Sequence, residues 1–358
     1  MTTSDLPAAL RDRVRRGMVI PAHPLALTAE RELDLRRQRA LTRYYLDAGA
    51  GGIAVGVHTT QFEIREPGVA LFEPVLALAA ETIDAHCARG GCQVLKVAGV
   101  CGDTQQAVRE AAFAAGQGYH AALLNLAALA QEDIPGLVAH CRAVAQALPL
   151  FGFYLNPQIG GRVLPFEFWR RFAQIENVLA IKIAPFDRYQ TLEVVRAVCE
   201  VGRAGDIALY TGNDDAIVAD LLTEYRVVTS AGERRARIVG GLLGQWAVWT
   251  RRAVELLAEI TEIADRGGPI PWQMLTAGAQ VTDCNAALFD AAHGFAGCVP
   301  GIHEVLRRQG LLQGTWCVNP AVGLSPGQVQ EIDRVCRSYP HLNDDEFVRA
   351  HLDEWLRD

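Results

Sequence analysis

The chain has 358 residues, half of them hydrophobic and about a fifth charged, the balance of a soluble protein with a large core. Its net charge of −7 excludes the basic footprint of a nucleic-acid or anionic-membrane surface. The stretch Leu10–Arg16 is polar and arginine-rich with no apolar segment after it, and no apolar run reaches the roughly 20 residues of a transmembrane helix, so a cytoplasmic location is expected.

Short apolar runs alternate with amphipathic segments along the chain. The strand-like runs are Gly17–His23, Gly52–Val57, Gln93–Val100, Ala121–Leu126, Leu148–Asn156, Val178–Ala184, Ile207–Thr211 and Arg237–Leu243. Helical patterns fall between them at Glu30–Leu46, Glu73–Ala88, Thr104–Ala115, Ile134–Leu148, Phe166–Ile175, Thr191–Val201 and Ala216–Leu222. This alternation predicts parallel β/α units. A doubly wound sheet would want a glycine-rich turn after its first strand, where Pro24-Leu25-Ala26 stands instead. Eight repeats in about 250 residues suit a (β/α)8 TIM barrel. After Ala264 the pattern turns helical, which predicts a catalytic barrel over 1–264 and a helical C-terminal extension over 265–358, packed as a cover or an interface.

The nine cysteines include no C-x-x-C pair, and the histidines form no H-x-x-x-H, so reduced thiols and no metal site are expected. Only two of the 34 basic residues are lysine, Lys96 and Lys182. Arginine cannot act as a carbonyl-attacking amine, whereas a desolvated lysine can; codon bias is the bland alternative. Lys182 lies two residues before the end of the sixth run with Ala180 and Ala184 on its own face. Catalytic groups of barrels gather at C-terminal strand ends, which favours Lys182 over the mid-strand Lys96.

Tyr154 ends the fifth run, one β/α unit earlier, and a phenol there can shuttle protons for a Schiff-base reaction. His58-Thr59-Thr60 follows the second strand in a turn whose hydroxyls and N–H groups suit a carboxylate. Each has a plain structural reading too: Tyr154 as core, the threonines as turn caps, and Asp214 or Asp215 as N-caps of the helix at 216–222. Trp246 and Trp249 read as core, Arg251-Arg252 and Arg307-Arg308 as solvated helix faces.

With the threonine pair, Tyr154-Leu155-Asn156-Pro157 as Y-x-x-P, Ala180-Ile181-Lys182, and Thr211-Gly212-Asn213-Asp214-Asp215, the sequence resembles the dihydrodipicolinate synthase / N-acetylneuraminate lyase superfamily over roughly residues 15–310. The resemblance implies a homotetramer or homodimer and an imine between Lys182 and pyruvate or a related 2-oxo acid. It further implies Tyr154 as proton shuttle, Thr59 as relay, Thr60 on the substrate carboxylate, and Gly212 and Asp214 lining the pocket. No metal or organic cofactor is implied, since the imine is the electron sink.

The departures bear on substrate. His58 and Gln61 replace two glycines of the family's threonine turn, and His58 then either orients Thr59 or adds an acid–base group. The arginine two residues past the Y-x-x-P proline is Ile159, with Arg162 as a possible substitute. The second tyrosine after the fourth strand is absent from Asn125–Ala128. Lysine biosynthesis is therefore disfavoured. Three readings stand: a pyruvate-type aldolase or lyase with an aldehyde partner, a dehydratase or hydratase-aldolase of a sugar acid or aromatic 2-oxo acid, and a ligand-binding barrel without turnover.

Overall fold

A computed structural model describes residues 1–357. In chain order the elements are α1 (Ala8–Arg16), β1 (Val19–Pro21), α2 (Leu35–Asp47), β2 (Gly52–Val55), α3 (Phe72–Gly90), β3 (Leu95–Val100), α4 (Thr104–Gly116), β4 (Ala121–Leu124) and α5 (Ile134–Ala145). There follow β5 (Leu150–Leu155), α6 (Phe166–Ala173), β6 (Val178–Ala184), α7 (Arg188–Glu200), β7 (Ala208–Thr211), α8 (Ile217–Leu222), β8 (Glu224–Thr229) and β9 (Gly232–Leu243). The chain then runs through α9 (Thr250–Arg266), α10 (Gln273–Leu288), α11 (Cys298–Arg308), α12 (Gln328–Ser338) and α13 (Asp345–Trp355). All eight strand-like runs are strands. The expected boundary at 264/265 falls inside α9.

The strand-to-helix order is written in small residues with fixed jobs. Asp34, Asp103, Asp133 and Asp187 stand one position before α2, α4, α5 and α7, and each accepts a hydrogen bond from the backbone N–H three residues on. Such caps satisfy orphan donors of the first turn, each contributing about 1 kcal/mol. The cap also explains why α2 starts at Leu35 and not at Glu30: Thr28–Glu32 closes its own turn, with Thr28 N–H on the Glu32 carbonyl at 2.8 Å. Asp214 and Asp215 do not cap α8; Ala216 holds that position with no side-chain bond.

The chain forms two compact units, one of residues 1–18 and 95–242, the other of residues 19–94 and 243 onward. In the first, β3, β4, β5, β6, β7 and β9 are neighbours in that order, all parallel. Strands β3 to β7 are buried along their whole length, as expected of a parallel sheet covered on both faces. Strand β8 was not visible as a strand. It pairs antiparallel with β9 in an exposed ribbon whose charged residues, including Glu224 and Arg235 at 3.3 Å, hide the β pattern.

The second unit contains β1 and β2, parallel through the Ala22–Ala54 bridge and the Gly51 N–H on the Val19 carbonyl at 3.0 Å. The C-terminal helices belong to this unit, with α13 and α3 both packed on α2. Asp344, 3% exposed, ties them together: it accepts from the Tyr44 hydroxyl at 2.7 Å, the Arg251 N–H at 3.1 Å and Gln309 Nε2 at 2.9 Å. Burial nevertheless raises its carboxyl above the ordinary range. The Trp355 ring packs at a tilt 5.4 Å from that of Tyr44, and its indole N–H donates to Asp47 at 2.6 Å. Trp246 and Trp249 are core, as expected.

Candidate active site

Pairing register decides which side chains share a face of a sheet, because successive residues alternate. In the first unit Lys182 lies beside Phe153 of β5 and Tyr210 of β7. Its Nζ stands 4.5 Å from the centre of the Phe153 ring. On the other flank is Gly212: a Cβ built there would meet Lys182 Cε at 2.5 Å and Ala184 Cβ at 2.7 Å. The Gly212 N–H donates to the Ile183 carbonyl at 2.7 Å, which holds this glycine against β6. Lys182 is 9% exposed. An aliphatic stem pressed between a ring and a bare backbone fixes where the amine sits. Deprotonated, an amine held at this place is a carbonyl nucleophile.

Lys96 is elsewhere. Val97 pairs with Ala121, and Lys96 precedes it at the N-terminal end of β3, its Nζ near Gly118 in the loop before β4. It therefore sits at the end of the strand opposite to Val100.

Tyr154 departs from expectation. Phe153, not Tyr154, lies beside Lys182, and Tyr154 pairs with Ile183 on the opposite, helix-covered face. Its ring packs on Trp169 of α6 at 5.4 Å, and its hydroxyl accepts the Leu164 N–H at 3.2 Å. Burial pushes the phenol up to about 12, with the carboxylates of Asp187 and Glu193 adding to the rise. The cause is a register shift between Leu150 and Phe151: Leu150 pairs with Val178 but Phe151 with Ala180. One extra residue on β6 turns every later residue of β5 to the other face relative to an unbroken pairing. The spacing between Tyr154 and Lys182 cannot show such a bulge. The structure thus does not bring this phenol to the amine.

Arg162 is engaged by backbone, its guanidinium donating to the Leu129 carbonyl in the loop after β4. Phe153, Leu155 and Ala184 leave the Lys182 face apolar. Asn213, fully buried, was not singled out by the sequence. Its Oδ1 accepts the Phe186 N–H at 2.9 Å while its Nδ2 donates to Asp220 at 2.9 Å and Thr191 at 3.2 Å. Asp220 also accepts the Thr211 hydroxyl at 2.6 Å and pairs with Arg188. This network clamps the loops after β6 and β7 and so fixes Gly212. Beside it Asp214 is buried, and burial raises the carboxyl of Asp215.

In the second unit, His58, Thr59 and Thr60 form a 3-10 turn after β2. The Thr60 hydroxyl donates to the His23 carbonyl at 2.7 Å and accepts from the Gly56 and Val57 N–H groups at 3.0 and 3.2 Å. It is fully used in closing the turn. Thr59 donates to the Ala22 carbonyl at 2.7 Å and keeps acceptor capacity. His58 is half-buried, its ring 6.1 Å from that of Phe62. Gln61 follows with φ 70°, and its side-chain oxygen accepts the Val318 N–H at 2.7 Å, so a segment near the C-terminal end fastens onto this turn.

Residues 17–234, more than half of the chain, match the profile of the dihydrodipicolinate synthetase family. A 4-hydroxy-tetrahydrodipicolinate synthase of Acidothermus cellulolyticus is 30% identical over 217 residues, 60% of this chain and 63% of that protein. One from Moorella thermoacetica is 26% identical over 202 residues, 55% and 64% of the two chains. The match thus spans slightly less than two thirds of these relatives. Among solved structures, a dihydrodipicolinate synthase of Oceanobacillus iheyensis superposes with TM-score 0.70 at 18% identity, covering 93% of this chain and 99% of its own. An N-acetylneuraminate lyase of Fusobacterium nucleatum, solved with pyruvate, gives 0.69 at 14%, covering 92% and 99%. The fold is accordingly a (β/α)8 barrel with additional C-terminal helices. Given the extent of the profile match, the chain belongs to the dihydrodipicolinate synthetase family.

Proposed function

We propose that the protein is a Schiff-base-forming lyase acting on pyruvate or a related 2-oxo acid through Lys182. The observation that carries this is the amine itself: buried, two residues from the C-terminal end of β6, and held between Phe153 and Gly212. The neutral amine attacks the 2-carbonyl, the carbinolamine loses water, and the resulting iminium accepts the electron pair released when a C3 proton or a C3–C4 bond is lost. No metal or organic cofactor enters this chemistry. Thr59, with its open lone pairs, is the relay in this reading, and the His58–Thr60 turn with its backbone N–H groups holds the carboxylate. Gly212 and Asp214 border the substrate.

The apolar Lys182 face and the engaged Arg162 support a substrate without a second carboxylate, which suits an aromatic or otherwise uncharged aldehyde partner, or dehydration of a 2-oxo acid. The position of Tyr154 supports a second reading, imine formation without rapid turnover, as in a ligand-binding barrel. Exchange of the pyruvate methyl protons in D2O, followed by proton NMR, separates the two. Exchange catalysed by the wild type and lost in Lys182→Ala supports the lyase; a wild type that binds pyruvate but leaves its methyl protons in place supports the binder. We further propose a cytoplasmic homodimer or homotetramer, for which the exposed Ile270, Trp272 and Leu275 at the start of α10 offer an apolar contact.

A further inference from the structure

The last turn of α3 carries Cys87, and Cys92 returns to it five residues later. Between them α3 ends at Gly90, and Gly91 adopts the left-handed conformation, φ 63° and ψ 20°, that reverses the chain. The two Sγ atoms stand 3.0 Å apart, both as thiols. A disulfide has its sulfurs about 2.05 Å apart, so closure needs only about 1 Å of movement. The intervening chain can supply it, because a Cβ added at Gly90 or Gly91 meets nothing within 4 Å. Cys92 is exposed and Cys87 half-buried, so a small oxidant reaches the pair. By contrast Cys141, Cys199, Cys284, Cys298 and Cys317 are buried.

We propose that Cys87 and Cys92 are a reversible redox site that closes to an intramolecular disulfide with a low-molecular-weight disulfide or a peroxide as oxidant. With oxidised glutathione, the Cys92 thiolate attacks one glutathione sulfur and expels glutathione thiolate. The Cys87 thiolate then attacks Cys92 Sγ, forms the Cys87–Cys92 bond and releases the second glutathione. Two protein thiols are oxidised and one glutathione disulfide is reduced. The bond pins the end of α3 to residue 92. It makes no use of Lys182 and stands apart from the lyase reading.

The test is to treat the folded full chain with oxidised glutathione, block remaining thiols with N-ethylmaleimide under denaturing conditions, and measure mass before and after trypsin. The expected result is loss of two of the nine alkylation sites, with the tryptic peptide ending at Arg89 joined to the one beginning at Gly90 until a reductant is added. Cys92→Ser abolishes the linkage, and Cys87→Ser leaves glutathione trapped on Cys92. The proposal is overturned if all nine thiols remain alkylated, if Cys92 links to a different cysteine, or if wild-type Cys92 keeps a lasting glutathione adduct.

Discussion

Lys182 depends on what is missing beside it. Gly212 has no Cβ, and the space one would take is already held by Lys182 Cε at 2.5 Å. Gly212→Ala therefore displaces the amine, and since small misplacements cost on the order of 100-fold in rate, methyl-proton exchange should fall by about that factor while folding is retained. Unchanged exchange would mean the Lys182–Gly212 packing is not needed for the chemistry. Tyr154 gives a second, opposed prediction. In Tyr154→Phe the buried Leu164 N–H loses its acceptor, a cost of about 1–3 kcal/mol that urea unfolding measures. Exchange by the same variant should stay within about twofold of wild type, because the phenol lies on the other face from the amine. A 100-fold loss would restore it as the proton shuttle.

At the scale of elements, β5 and α6 show how composition sets a packing distance. Gly152 faces α6, where a Cβ would meet Phe172 Cε1 at 2.8 Å. Gly152→Ala should therefore destabilise the protein by about 1–3 kcal/mol through overpacking, read as a lowered urea midpoint with unchanged slope. The Phe-Gly-Phe-Tyr sequence shows where sequence reading stops. That 150–155 is a buried strand was legible from its apolar run, and that Lys182 belongs to the next strand was legible too. Which of Phe153 and Tyr154 faces Lys182 was not, because it turns on a bulge at Leu150/Phe151 that leaves no mark in local composition. The β8–β9 ribbon was missed because its exposed edge is charged, and Asn213 because a lone asparagine gives no sign of the three partners that folding brings to it.

For the molecule as a whole, the eight-fold strand–helix alternation made the architecture readable, since hydrophobic period is a local property. The threonine turn was placed correctly after β2, but the full use of the Thr60 hydroxyl and the bond from Gln61 to Val318 depend on distant backbone that the sequence does not bring together. Global stability should carry the signature of two fully buried histidines, His23 and His303, which burial lowers to about 4 from an ordinary 6.5. The unfolded chain binds these protons first as pH falls, so their contribution is fully present above about pH 6.5 and is lost progressively towards pH 4. Each is on the order of 3 kcal/mol. The thermal midpoint should drop steeply across that window, and the drop should shrink in His303→Gln; a flat profile would contradict the burial of neutral imidazoles.

The most direct test of the central claim is intact-mass analysis after incubation with pyruvate and borohydride, for the wild type, Lys182→Ala and Lys96→Ala. The account predicts one reduced pyruvate adduct on the wild type and on Lys96→Ala, mapped to Lys182, and none on Lys182→Ala. An adduct that survives in Lys182→Ala, or none on the wild type with pyruvate or any of a panel of 2-oxo acids, would contradict it.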